Sequence, residues 1–129
     1  MIVADTGGLL ALLDKPSDKH AAVHEFFASS KIPWIVPWAV LSELDHMVRK
    51  FLGIPSAVKF LNDAKNGVFV IDSNVDADLP RVLELLAHKP RIGLVDAVVM
   101  AQAERYQATA VVTTDKRDFN PWRMTLNRH

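Results

Sequence analysis

Short apolar runs rich in β-branched residues alternate along this chain with longer stretches whose apolar positions recur every three or four residues. Met1 to Ala4 is the first run. It stops at Asp5-Thr6, and Gly8 to Leu13 then reads as a helix, which puts Asp5 at the switch from strand to helix. Ser17-Asp18 supplies a predicted N-cap for a second helix through Ala28, with Ala21, Ala22, Phe26 and Phe27 at helical spacing. Pro33 to Val36 is a brief extended piece. Pro37 fits the first turn of a helix to Phe51 or Leu52, Gly53 ends it, and Pro55-Ser56 starts another that runs to Ala64. Asn66-Gly67 turns the chain into a strand over Val68 to Ile71, and Ser73 or Asn74 caps a helix through Ala87. Leu94 to Tyr106, nearly all apolar, predicts a helix buried on most faces. Ala110 to Thr113 is a further strand, and Met124 to Leu126 a last, short one.

Strands alternating with longer helices predict an α/β sandwich around a short, largely parallel sheet, where ligands bind beyond the carboxyl ends of the strands. No repeat or linker-like run divides the 129 residues, so one domain over residues 1–129 is expected. Fifteen Lys+Arg balance fifteen Asp+Glu, which argues against nucleic acid or anionic lipid held by bulk positive charge and confines any such contact to a local patch. The absence of cysteine removes disulfides, thiolate metal sites and cysteine nucleophiles together, and fits a reducing compartment. The N-terminus lacks a basic signal-peptide region, and no apolar stretch reaches the roughly 18–20 residues of a membrane span. A cytoplasmic protein without membrane contact is the expectation.

Three acids stand where solubility does not explain them. Asp5 ends one apolar strand, Asp115 follows another, and Asp96 interrupts Ile92-Gly93-Leu94-Val95-Asp96-Ala97-Val98-Val99-Met100 in the first turn of its helix. A buried carboxylate needs a partner or a cation, and a helix N-terminus favours an anion. Glu43 is a fourth, on the border of the stripe formed by Val40, Leu44, Val48, Phe51 and Leu52. Four oxygen donors without cysteine suit a hard divalent cation such as Mg²⁺ or Mn²⁺, and such a site makes sense for phosphodiester hydrolysis. The competing reading is that Asp5 and Asp96 simply cap helices.

Ile2-Val3-Ala4-Asp5-Thr6, the helix centred on Ser42-Glu43-Leu44, the segment Gly93-Leu94-Val95-Asp96-Ala97, and Thr113-Thr114-Asp115-Lys116-Arg117-Asp118-Phe119 together resemble the PIN-domain ribonucleases. More narrowly, they resemble the VapC-type toxins of toxin-antitoxin systems. The resemblance spans essentially the whole chain, in order. It implies a PIN-like three-layer α/β/α sandwich, a Mg²⁺- or Mn²⁺-dependent endoribonuclease with Asp5, Glu43, Asp96 and Asp115 as metal-binding and catalytic acids, an RNA substrate, a cognate antitoxin and a homodimer. Two positions depart from the pattern: Gly7 replaces the Ser many relatives carry, and Asp118 adds a fifth acid near Asp115.

Around the acids, Thr6, His46, Lys50, Thr113, Lys116 and Arg117 are candidates for substrate contact, with His46 and Lys50 within about 60° of Glu43 on the helical wheel. His20 and His24 have i, i+4 spacing but no third ligand nearby, so a solvated helix face is the reading. Trp34, Trp38 and Trp122 fit a core or interface better than base stacking. Phe51, Leu52, Val58, Phe60 and Leu61 suit a self-association or antitoxin surface. Two other functions remain open on sequence: a catalytically silent binding module, and a DNA-directed nuclease of the same fold.

Overall fold

A computed structural model of the chain describes residues 1–114. The elements run β1 (Ile2–Ala4), α1 (Thr6–Leu13), α2 (His20–Ser29), β2 (Trp34–Pro37), α3 (Trp38–Phe51), α4 (Ile54–Lys65), β3 (Phe69–Asp72), α5 (Val75–His88), α6 (Gly93–Arg105) and β4 (Ala110–Val112). The strands form a four-stranded sheet in the order β3-β2-β1-β4, and every pairing is parallel. Parallel strands covered on both faces are apolar throughout. Strands β1, β2 and β4 follow that rule, whereas β3, at the edge, leaves Val70 and Ile71 exposed. Helices around the short sheet complete the expected α/β/α architecture. The predicted strand at Met124 to Leu126 lies outside the described residues.

Several boundaries differ from the sequence expectation for local reasons. The Ser17 side chain accepts the Lys19 N–H at 3.2 Å instead of capping a helix, so α2 starts at His20 after a turn. Pro37 is the last residue of β2, with extended backbone, and the helix begins at Trp38. Strand β3 begins at Phe69 rather than Val68, because the Val68 N–H closes the turn after α4 on the Asp63 carbonyl at 2.9 Å; the Phe69 ring packs against Phe27 and Phe60 at centroid distances of 5.4 and 4.9 Å. Gly53 ends α3 as expected, with a φ of 98° that favours glycine. On α3, Val40, Leu44 and Val48 are buried, but Phe51 is 60% exposed and Leu52 packs on the core in its place. Phe60, expected on an outer surface, is core.

The main core joins the first and last described strands: Val3 and Ala4 of β1 pack with Val111 and Val112 of β4, and with Trp34, Ile35 and Val36 of β2. Helix α6 is buried without interruption from Ala97 to Ala103. A second cluster, Val82, Ala97, Val98 and Ala101, joins α5 to α6 under Trp38 and Ala39.

Candidate active site

Asp5 sits where β1 hands over to α1, and its neighbours follow from that position. Its main-chain N–H donates to the Val112 carbonyl at 2.9 Å, extending the β1–β4 ladder by one residue. Its side chain caps α1: Oδ1 accepts the Thr6 N–H at 2.8 Å, and Oδ2 accepts the Thr113 hydroxyl at 2.8 Å. The cap reading therefore holds for Asp5, whose carboxylate stands just past the carboxyl end of β1. Asp5 is only 7% exposed and Thr113 is fully buried, so Thr113 lies behind the carboxylate and aims it.

Asp96 lies in the first turn of α6, where the helix dipole favours its charge, and the cap position itself is Ile92, without a side-chain bond. Helix α6 packs on β1 and β2, bringing the carrier of Asp96 against the strand that ends in Asp5. Helix α3, the carrier of Glu43, packs against both α1 and α6. Glu43 and His46 are exposed, and the Lys50 ammonium lies 5.3 Å from the Phe51 ring centroid. Asp115, Lys116, Arg117 and Asp118 lie outside the described residues. Among the described residues, no three Asp, Glu or His side chains stand close enough together to hold an ion.

Two observations bear on whether a cation fits here. The donors are oxygens, and hard divalent ions take oxygen ligands. Beside Asp5, the buried Thr6 hydroxyl has no hydrogen-bond partner among the described residues, a polar atom that a metal-bound water would satisfy. The oxygen donors suit a hard divalent ion, although the described residues by themselves do not gather a set of three.

The chain passes close to both glycines after Asp5, and at Gly8 the approach is to backbone. A Cβ on Gly8 would stand 2.4 Å from the Val112 carbonyl oxygen, and one on Gly7 would stand 2.3 Å from the Thr114 hydroxyl. His20 and His24 line a cleft of about 430 Å³ with Leu12, Leu13, Lys15 and Lys59. The His20 ring contacts the Ala11 carbonyl through Nδ1 at 3.0 Å, tying α2 to α1. The two lysines make this cleft a poor cation site. Trp34 is core against Phe27, and Trp38 is half-buried; Trp122 lies outside the described residues.

Sequence reasoning missed a second polar constellation. Asp78, whose side chain is 0% exposed, accepts from Trp38 Nε1 at 2.9 Å, Gln102 Nε2 at 2.8 Å, and Arg105 Nε and Nη2 at 3.1 and 3.0 Å. Asp72, at the end of β3, accepts from the Tyr106 hydroxyl, the Asn74 N–H at 2.9 Å and Arg105 Nη2 at 3.1 Å. Burial pushes the Asp72 carboxyl up, but Tyr106, Asn74 and Arg105 outweigh it and hold the group below its ordinary value. The bond to Asp72 and burial raise the Tyr106 phenol. Desolvation opposes the Arg105 charge, yet its bonds to Asp78 and Asp72 raise its pKa. Gln102 inside an otherwise apolar helix was the available signal.

The fold is shared with solved structures. The sarcin-ricin loop cleaving toxin VapC20 of Mycobacterium tuberculosis superposes with a TM-score of 0.81 at 20% identity, over 94% of this chain and 95% of that one. FitAcB from Neisseria gonorrhoeae superposes with a TM-score of 0.64 at 16% identity, over 97% and 95%. In sequence, Ribonuclease VapC26 of Mycobacterium tuberculosis (strain ATCC 25618 / H37Rv) is 29% identical over 124 residues, 95% of this chain and 92% of that protein. The PIN domain family matches residues 2–120. The chain belongs to the PIN-domain family.

Proposed function

We propose that this chain is a metal-dependent endoribonuclease and the toxin of a toxin-antitoxin pair. The observation that carries the reading is the buried Asp5 carboxylate at the carboxyl end of β1, oriented by Thr6 and Thr113, in a PIN-domain chain 29% identical to a VapC ribonuclease. Asp5 and Asp96 would hold Mg²⁺ or Mn²⁺, with Glu43 and Asp115 completing the set. A bound divalent ion supplies a water acidic enough to ionise near neutral pH and offsets charge on the phosphate. The fixed Thr6 and Thr113 donors aim Asp5, and the N-terminal dipole of α6 favours an anionic side chain at Asp96. Exposed Glu43 is accessible to take a proton from the attacking water. Water oxygen bonds to phosphorus, the P–O3′ bond breaks, and the 3′ oxygen takes a proton, leaving 5′-phosphate and 3′-hydroxyl ends.

Single-stranded or looped RNA suits such a site, because its backbone is splayed. Exposed His46 and Lys50, on the same helix as Glu43, would meet phosphates, with Lys116 and Arg117 following Asp115 in sequence. For partners, Phe51, Ile54, Val58 and Leu61 form an exposed apolar row across α3 and α4 for the antitoxin, while Val75, Leu79 and Leu83 on α5 offer a face for a second copy. No described helix is long and apolar enough to cross a membrane, and a cytoplasmic site of action agrees with an RNA substrate.

The test is cleavage of pooled cellular RNA and of single-stranded DNA by the purified protein in Mg²⁺, Mn²⁺ or EDTA, with Asp5→Ala and Asp96→Ala alongside. Discrete RNA fragments that need metal and vanish in both variants are expected. Equal cleavage of DNA redirects the reading to a DNA nuclease. Parent and variants equally inert on both substrates overturn it in favour of a binding module.

A further inference from the structure

Asp78 receives four hydrogen bonds from three side chains on two other helices, and its carboxylate is fully buried. Trp38 is the first residue of α3; Gln102 and Arg105 belong to the last turns of α6. One carboxylate on α5 therefore joins α3 to α6. Five residues beyond Trp38, α3 carries Glu43, and six residues before Gln102, α6 carries Asp96. At 1.5 Å per residue those spacings are about 7.5 and 9 Å along stiff helices, so a shift at Asp78 is carried to both acids. Asp72 braces the junction, pairing in register with Pro37, the residue before Trp38, and binding Arg105.

The apolar contacts at this junction do not set its register alone. The cluster beneath it has a buried centre of Val82, Ala97, Val98 and Ala101 with Trp38, Leu85, Leu86 and Ile92 packed against it, and apolar burial is non-directional. Hydrogen bonds are directional and fix one spacing. Buried ion pairs add little net stability over a well-packed apolar replacement, and here Gln102 Oε1 is left without a partner among the described residues. The arrangement makes more sense as a geometric device than as a source of stability.

We propose that Asp78 is a positioning residue for the nuclease site: by joining Trp38 on α3 to Gln102 and Arg105 on α6, it sets the spacing between Glu43 and Asp96. This rests on the acid set proposed above. The test titrates Mn²⁺ into the purified full chain, followed by electron paramagnetic resonance, and measures kcat and KM for RNA at saturating metal. Variants are Asp78→Asn, Trp38→Phe, Asp5→Ala and the control Arg81→Ala, which breaks an exposed α5–α6 ion pair with Glu104 at 2.7 Å without touching α3. Circular dichroism confirms that each is folded at the assay temperature.

Asp78→Asn and Trp38→Phe are expected to raise half-saturating Mn²⁺ about tenfold, the lower end of what outer-shell changes do, and to lower kcat with KM for RNA unchanged. Arg81→Ala leaves both values at parent level. Folded Asp78→Asn and Trp38→Phe proteins that bind Mn²⁺ like the parent overturn the inference while the nuclease reading stands. If Asp78→Asn does not fold, Trp38→Phe decides alone. An Asp5→Ala protein that binds Mn²⁺ like the parent removes the acid set itself, and the inference with it.

Discussion

The Thr113 hydroxyl donates to Asp5 Oδ2 at 2.8 Å from the first residue past the neighbouring parallel strand, in the register set by Ala4 opposite Val112. The bond makes the orientation of the candidate acid a property of the sheet, not of the helix it caps. Thr113→Val removes the donor at nearly constant volume. A loss of about 1.5–3 kcal/mol is expected, the range for a hydrogen bond to a charged group, with Thr113→Ser retaining most of it. Urea unfolding of the three proteins checks this; a Val variant as stable as the parent shows that the bond contributes nothing.

Gly7 and Gly8 predict different outcomes for the same substitution. Alanine gains about 1 kcal/mol over glycine inside a helix. At Gly8 the new methyl meets the Val112 carbonyl at 2.4 Å and its Cγ1 at 2.6 Å, so strand β4 has to move. At Gly7 the obstacle is the Thr114 hydroxyl, a side-chain atom and not backbone. Gly8→Ala is expected to lose about 1–3 kcal/mol, and Gly7→Ala to stay within about 1 kcal/mol of the parent. Equal melting temperatures for the two variants contradict this account.

The Asp72–Tyr106 pair fixes the signs of the pH dependence. The Asp72 pKa is lower in the folded chain, so its contribution is present above the ordinary carboxylate value and disappears as pH falls through the folded one. The Tyr106 pKa is raised, so its contribution is present below about pH 10 and disappears as pH rises through the folded value. Tyr106→Phe should therefore flatten both ends of a plot of urea midpoint against pH, with the larger change on the acid side testing Asp72. An unchanged acid limb shows that Tyr106 is not what holds Asp72 low.

Leu83, 67% exposed, stands on the same face of α5 as Leu79 and Val75. Leu83→Glu is expected to shift a self-associated population toward monomer in analytical ultracentrifugation and leave the melting temperature within a few degrees. A parent protein already monomeric at high concentration removes α5 as the dimer face.

Local pattern carried much of this molecule. Asp5 at the strand-to-helix switch, the break at Gly53, the Asn74 cap and the burial of α6 each follow from residues adjacent in sequence. Asp78 does not. Its helix reads equally well with Val75, Leu79 and Leu83 inward, and the structure instead buries Asp78 and Val82. What selects that face is a set of donors 24 to 40 residues away, Trp38, Gln102 and Arg105, which no periodicity within α5 reveals. Thr113 was legible as a strand residue next to an acid; that its partner is Asp5, 108 residues earlier, needed the strand order.

That strand order also fixes when the activity can first exist. Strand β1 is made first, yet one of its neighbours is β4, and the bond that aims Asp5 comes from Thr113. A ribosome that has released the chain only as far as α6 has delivered Asp5, Glu43 and Asp96 without the strand that orients the first of them. On the proposed function, an RNA-cutting enzyme thus stays unassembled beside the translating ribosome until β4 and Thr113 have emerged, and a partner that captures the newborn protein has little active species to compete with before then.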